Sequence, residues 1–125
     1  MLPIAYSFQE KGLLFSFGET IFEVAKKSKK KIAIIASGDL SHRLIQTAPA
    51  GYNKAGKEFD KLLLDYLKEK DIQGILEMDD DFVEEAGECG FRSLLILLGA
   101  INKLDWKAEV LSYEGPFGVG YSVVN

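Results

Sequence analysis

The segment Ile32-Ala33-Ile34-Ile35-Ala36 constrains the fold most. It is an unbroken apolar run, closed by Lys29-Lys30-Lys31 on one side and Ser37-Gly38 on the other. A strand with one wet face alternates apolar and polar residues, whereas a continuous run describes a strand covered on both faces. The run therefore predicts an α/β fold with a helix-flanked, largely parallel or mixed sheet. A chain of 125 residues accommodates one domain, so residues 1–125 are expected to form a single unit.

Helical spacing surrounds this run. Leu13, Leu14, Phe17, Ile21, Val24 and Ala25 fall on one stripe, predicting a helix with a buried face that the following lysines close. Phe59, Leu62, Leu63, Tyr66 and Leu67 define a second amphipathic helix, with Lys57, Glu58, Asp60, Lys61, Asp65 and Lys68 assigned to its wet side. Ile72, Ile75 and Leu76 suggest a short third helix. Asp79-Asp80-Asp81 sets carboxylates at the positive end of a fourth beginning near Phe82. Phe91 to Leu104 is apolar on nearly every side, as expected of a central, deeply buried helix.

Period two appears at both ends. Pro3 to Phe8 reads as a strand or extended arm, and Ala108 to Tyr113 as a strand. Phe117, Val119, Tyr121 and Val123 alternate with small residues to give another strand, after a turn at Glu114-Gly115-Pro116. Glycines on one face of that last strand admit a helix or a ligand close to its backbone. The segment Gly38 to Gly51, punctuated by Pro49 and glycines, reads as an ordered loop.

Charge excludes some functions. The net charge of −4 argues against nonspecific attraction to nucleic acid or to an anionic membrane. The run Lys26-Lys27-Ser28-Lys29-Lys30-Lys31 reads as a solvated helix end. No apolar stretch approaches the roughly 20 residues that span a bilayer. Cys89 is the single cysteine, so no internal disulfide can form, and a cytoplasmic, reducing location is expected.

Two places carry candidate chemistry. Ser37-Gly38-Asp39-Leu40-Ser41-His42 follows the most buried expected strand, and open α/β sheets bind ligands at the carboxyl ends of their strands. His42 is the single histidine, and imidazole is the side chain suited to proton transfer near neutral pH. Asp39, three residues earlier, could orient it. The alternative is an aspartate capping a turn beside a surface histidine. Cys89 stands at the start of the Phe91 helix, where a thiol becomes a better ligand or redox centre; the alternative is a small buried apolar side chain. Glu88 is a harder ligand, about 100° away around a helix. Zinc spacings, phosphate-binding glycine loops and a nucleophile elbow are absent.

At Ser37-Gly38-Asp39-Leu40-Ser41-His42-Arg43-Leu44 the chain resembles the catalytic-histidine segment of class III extradiol ring-cleavage dioxygenases, B-subunit family. The Memo-like branch (AmmeMemoRadiSam system protein B) is the closer match. The resemblance runs on through Ala48-Pro49-Ala50-Gly51-Tyr52, Gly56-Lys57-Glu58-Phe59-Asp60, Glu88-Cys89-Gly90-Phe91-Arg92-Ser93-Leu94, Leu98-Gly99-Ala100 and Ser112-Tyr113-Glu114-Gly115-Pro116-Phe117-Gly118-Val119-Gly120-Tyr121.

This resemblance implies the C-terminal half of such a domain and a non-haem iron(II) enzyme, with copper as the alternative metal, that opens a small catechol-type aromatic ring. His42 would be its acid/base group, Asp39 a residue of the same pocket, and Cys89 a metal ligand, with Glu88 the alternative. A Memo-like metal-binding or redox module without ring cleavage, or an inactive half-domain, is the other implication. Two further metal-binding histidines belong to the family's N-terminal half, and residues 1–125 contain no counterpart. The metal is therefore not expected to be held by this chain alone. The expected partners are a complementary N-terminal half-domain or further copies in a homo-oligomer.

Overall fold

The computed structural model describes residues 1–125. It holds five helices and one small sheet: α1 (Lys11–Ser28), α2 (Lys54–Glu69), α3 (Ile72–Leu76), α4 (Asp80–Ala86), α5 (Phe91–Ile101), β1 (Val110–Glu114) and β2 (Tyr121–Val124). The chain divides into two compact units, residues 1–37 with 91–106, and residues 38–90 with 107–125.

In the first unit α1 packs on α5. The crossing is built on glycine. A Cβ on Gly18 would lie 2.1 Å from the Ile96 carbonyl oxygen, and one on Gly99 would lie 2.0 Å from the Phe15 carbonyl oxygen. The two helix backbones therefore touch without intervening side chains. On α5, Phe91, Leu95, Ile96, Leu98, Gly99 and Ala100 are buried, as its composition required. The expected buried stripe of α1 is corrected: only Leu14 and Gly18 are covered, while Leu13, Phe17 and Val24 are 56%, 44% and 64% exposed. The reason is geometric, since α5 meets the Gly18 side and no other element covers the rest of the stripe. The N-terminal arm is irregular, fixed in part by Arg92 stacking 5.0 Å above the Phe8 ring.

Residues 32–36 also depart from expectation. They form no strand, and Ile32 and Ile35 are 51% and 87% exposed. The one sheet is two-stranded and antiparallel, with Tyr113 opposite Ser122 and Glu114 opposite Tyr121. The largely parallel sheet is thus not formed by these residues. A strand requires a neighbour to satisfy its backbone groups, and residues 1–125 supply none to this run.

The second unit is built around α2. Phe59, Leu63, Leu64 and Leu67 bury one face, with Phe59 packed edge-on against Phe82 of α4 at 6.2 Å. Its helices start on side-chain caps that satisfy otherwise unpaired N–H groups. Asn53 accepts from Ala55, Asp71 from Gly74 and Asp79 from Phe82. The aspartate run before Phe82 does work as a helix start. Pro116–Gly118 forms a 3-10 turn, so β2 begins at Tyr121 rather than near Phe117. No helix is long and apolar enough to cross a membrane.

Candidate functional site

Everything in the candidate site belongs to the second unit. The loop after Gly38 is irregular, yet its backbone is closely tied. Leu40 N–H donates to the Gly120 carbonyl, Leu44 N–H to Gly118, and Gly120 N–H to Ser41. His42 N–H donates to the Gly87 carbonyl, and Cys89 and Gly90 N–H both reach the Asp39 carbonyl. The loop therefore lies between the Gly118–Gly120 stretch and the Gly87–Gly90 stretch. Contact with the latter depends on absent side chains: a Cβ on Gly38 would sit 2.3 Å from Gly90 Cα.

That approach brings Asp39, His42 and Cys89 together. One ligand atom from each lies within 4.8 Å of the others, and all three residues are partly buried. His42 Nε2 stands 3.4 Å from Asp39 Oδ2 and 3.7 Å from Cys89 Sγ. Asp39 N–H donates to Cys89 Sγ at 3.1 Å, a contact that favours sulfur carrying negative charge. Ligands bonded at about 2.0–2.3 Å in a tetrahedral metal site stand roughly 3.3–3.8 Å apart. The two measured edges match that spacing, and one nitrogen, one sulfur and one carboxylate oxygen suit a borderline metal such as iron, copper or zinc. Glu88 is not in this group. Cys89 sits two residues before α5, in a bend outside the helix.

Beneath the loop lies a buried polar network that sequence reasoning missed. Asp60 was assigned to the wet side of α2; it is 1% exposed. Its Oδ1 accepts the Ser41 N–H at 2.8 Å and its Oδ2 accepts the Tyr113 hydroxyl at 2.8 Å. Ser41, fully buried, donates its hydroxyl to the Ala86 carbonyl at 2.7 Å and accepts Arg43 N–H. Burial raises the Asp60 pKa, against the lowering effect of the Ser41 and Tyr113 hydrogen bonds and the His42 charge. Burial, then the Asp60 hydrogen bond and charge, push the Tyr113 hydroxyl well above the usual tyrosine range. The missed signal was glycine. A Cβ on Gly120 would meet Asp60 Oδ2 at 2.1 Å, and one on Gly56 would meet Ser41 Oγ at 2.3 Å, so both glycines keep space for this network.

The family model for the catalytic LigB subunit of aromatic ring-opening dioxygenase matches residues 1–124. The chain belongs to the LigB family. Within it, the similarity is to Memo-type members. A MEMO1 family protein of Methanosarcina barkeri is 31% identical over 115 residues, covering 91% of this chain and 40% of that protein. A MEMO1 family protein of Methanococcoides burtonii is 27% identical over 132 residues, covering 99% and 47%. Protein CA_C1420 of Clostridium acetobutylicum is 48% identical over 111 residues, covering 89% of this chain and 24% of that protein. The chain spans less than half the length of each of these relatives. LigB membership accounts for both the α/β composition and a clustered ligand set, although the sheet in these residues is limited to β1 and β2.

Proposed function

We propose that this LigB-family chain contributes part of a metal-dependent dioxygenase-type site, with Cys89 as a metal ligand and Asp39 and His42 facing the same ion. The observation that carries the reading is the convergence of Asp39, His42 and Cys89 ligand atoms within 4.8 Å. Iron(II) is the proposed metal, with copper the alternative, and it would supply redox chemistry toward dioxygen. Three ligands leave positions to be filled. These would come from the rest of a LigB-type domain, expected to be its N-terminal half with the two remaining histidines, and from substrate. A parallel sheet including residues 32–36 would be completed by that same portion.

In the ring-cleavage reading the substrate is a small catechol-type aromatic, and both atoms of dioxygen enter it as a ring C–C bond breaks. His42 would accept a proton from a catechol hydroxyl and return it to product, with Asp39 at 3.4 Å holding the imidazole and stabilising its protonated form. A second reading is metal binding or redox chemistry without ring cleavage. It is favoured by the 3.7 Å spacing of Cys89 Sγ from His42 Nε2, because an imidazole occupied by thiol and metal is not free to serve a substrate. A cytoplasmic setting would keep Cys89 reduced in either case.

Anaerobic titration with Co(II) tests the shared premise. A sulfur-to-metal charge-transfer band should appear and be lost in Cys89→Ser, with His42→Ala weakening binding by tenfold or more, about 1.4 kcal/mol. A band that persists in Cys89→Ser sinks the assignment. Oxygen uptake with catechol, after iron loading and mixing with the complementary portion of a relative, separates the readings: turnover upholds ring cleavage, and metal binding without turnover upholds the second.

A further inference from the structure

We infer that the uncovered face of the first unit, formed by α1 and residues 32–36, is the docking surface for the remainder of a LigB-type domain, which adds a strand alongside Ile32–Ala36. This deepens the proposal that other parts of such a domain complete the metal site, and it names the surface that would receive them.

The face is apolar where a solvated surface would be polar. Leu13, Phe17 and Val24 recur at helical spacing along α1, and each is at least 44% exposed. Ile32 and Ile35 extend the patch, at 51% and 87%. Beside the α1 stripe, the N-terminal arm and the helix enclose a cavity of about 240 Å³ lined by Tyr6, Leu13, Leu14, Phe17 and Ile96, among others. Exposed apolar groups so concentrated mark an interaction surface. Residues 32–36 add a second property. They carry a doubly covered strand's composition but belong to no ladder, so their backbone groups are open to strand addition.

The occupant follows from length and family. Residues 1–124 match the LigB family model, yet the chain spans 24%, 40% and 47% of the relatives compared above. A domain cut to that extent must expose whatever its other portion covered, and here the exposure coincides with a strand lacking neighbours. A second copy would also bury apolar area, but it would bring the same unpaired run and the same lysines at Lys29–Lys31 against itself, which like charge opposes.

The test uses the chain and, as the probe, the portion of protein CA_C1420 outside its match to this chain. The two are co-expressed, purified in EDTA and analysed by sedimentation. Working without metal keeps this outcome independent of whether Cys89 binds an ion. A one-to-one complex is expected, weakened by at least about tenfold in Ile35→Lys and in Val24→Lys. Both positions are exposed, and unchanged helical circular dichroism would verify that the variants fold. Leu111→Lys, an exposed position in the second unit, should associate like the unmodified chain. The inference is overturned by a chain that stays monomeric beside the probe. It is equally overturned by a complex indifferent to Ile35 and Val24, or by a homodimer that Ile35→Lys dissociates and the probe does not.

Discussion

Removing the Tyr113 hydroxyl isolates what holds the His42 loop in place. Asp60 is buried, and its two oxygens each receive one hydrogen bond, from Ser41 N–H and from Tyr113. In Tyr113→Phe, Oδ2 loses its donor while the ring remains. A hydrogen bond to a charged group contributes about 1.5–3 kcal/mol and a neutral one about 1 kcal/mol. Tyr113 is 41% exposed, so water can replace part of the loss, which places the expected cost near the lower end, about 1.5 kcal/mol. In an Asp60→Asn background the carbonyl can still accept Ser41 N–H and the amide can donate to Tyr113, so the same change should cost under about 1 kcal/mol.

The pH dependence has a defined sign. The folded-state pKa of Asp60 is raised above its ordinary 3.8, so the folded state favours the protonated form. Its contribution to stability is fully present below about pH 3.8 and is lost as pH rises through the higher folded value. Asp60→Asn should flatten that decline. Tyr113→Phe should act oppositely to relief: by withdrawing a donor from the carboxylate it raises the folded pKa further, so its cost grows with pH across the same window. Urea unfolding of the four proteins, followed by circular dichroism from pH 3.5 to pH 7.5, measures all of this. The reasoning fails if Tyr113→Phe costs the same at both extremes and in both backgrounds, which would reduce Tyr113 to packing alone.

Two further substitutions probe the frame. Gly99→Ala places a methyl 2.0 Å from the Phe15 carbonyl oxygen, so α1 and α5 must separate; a loss of about 1–3 kcal/mol is expected, and an unchanged melting temperature would refute the backbone-contact crossing. Ser41→Ala strips the hydroxyl from the Ala86 carbonyl and from Arg43 N–H; about 1–3 kcal/mol should be lost, with faster amide exchange at Arg43, and unaltered exchange there would show that the hydroxyl does not anchor the loop.

What could be read from the sequence divides along the range of the forces involved. The helices are local: their apolar spacing and the caps at Asn53 and Asp79 act within a few residues, and they formed close to where the pattern put them. Residues 32–36 carry an equally strong pattern, but a strand is a relation between segments, and its composition states what it needs without stating where the neighbour is. The same gap explains α1, whose stripe was real while only its Gly18 side found a partner. Asp60 failed in the opposite direction. A carboxylate among lysines reads as solvated until one knows that Ser41 and Tyr113, 19 and 53 residues away, offer it two donors. Asp39 and His42 were legible as a pair because one turn separates them, whereas Cys89 joins them through a loop contact whose sequence trace is a pair of glycines, Gly38 and Gly90. In each miss the deciding contact lies outside the window that periodicity can see, and in this network glycine marks where such contacts fall: Gly120 faces Asp60, Gly56 faces Ser41 and Gly38 faces Gly90. Glycines spaced where two segments must meet without side chains are thus the most useful long-range signal this sequence carries.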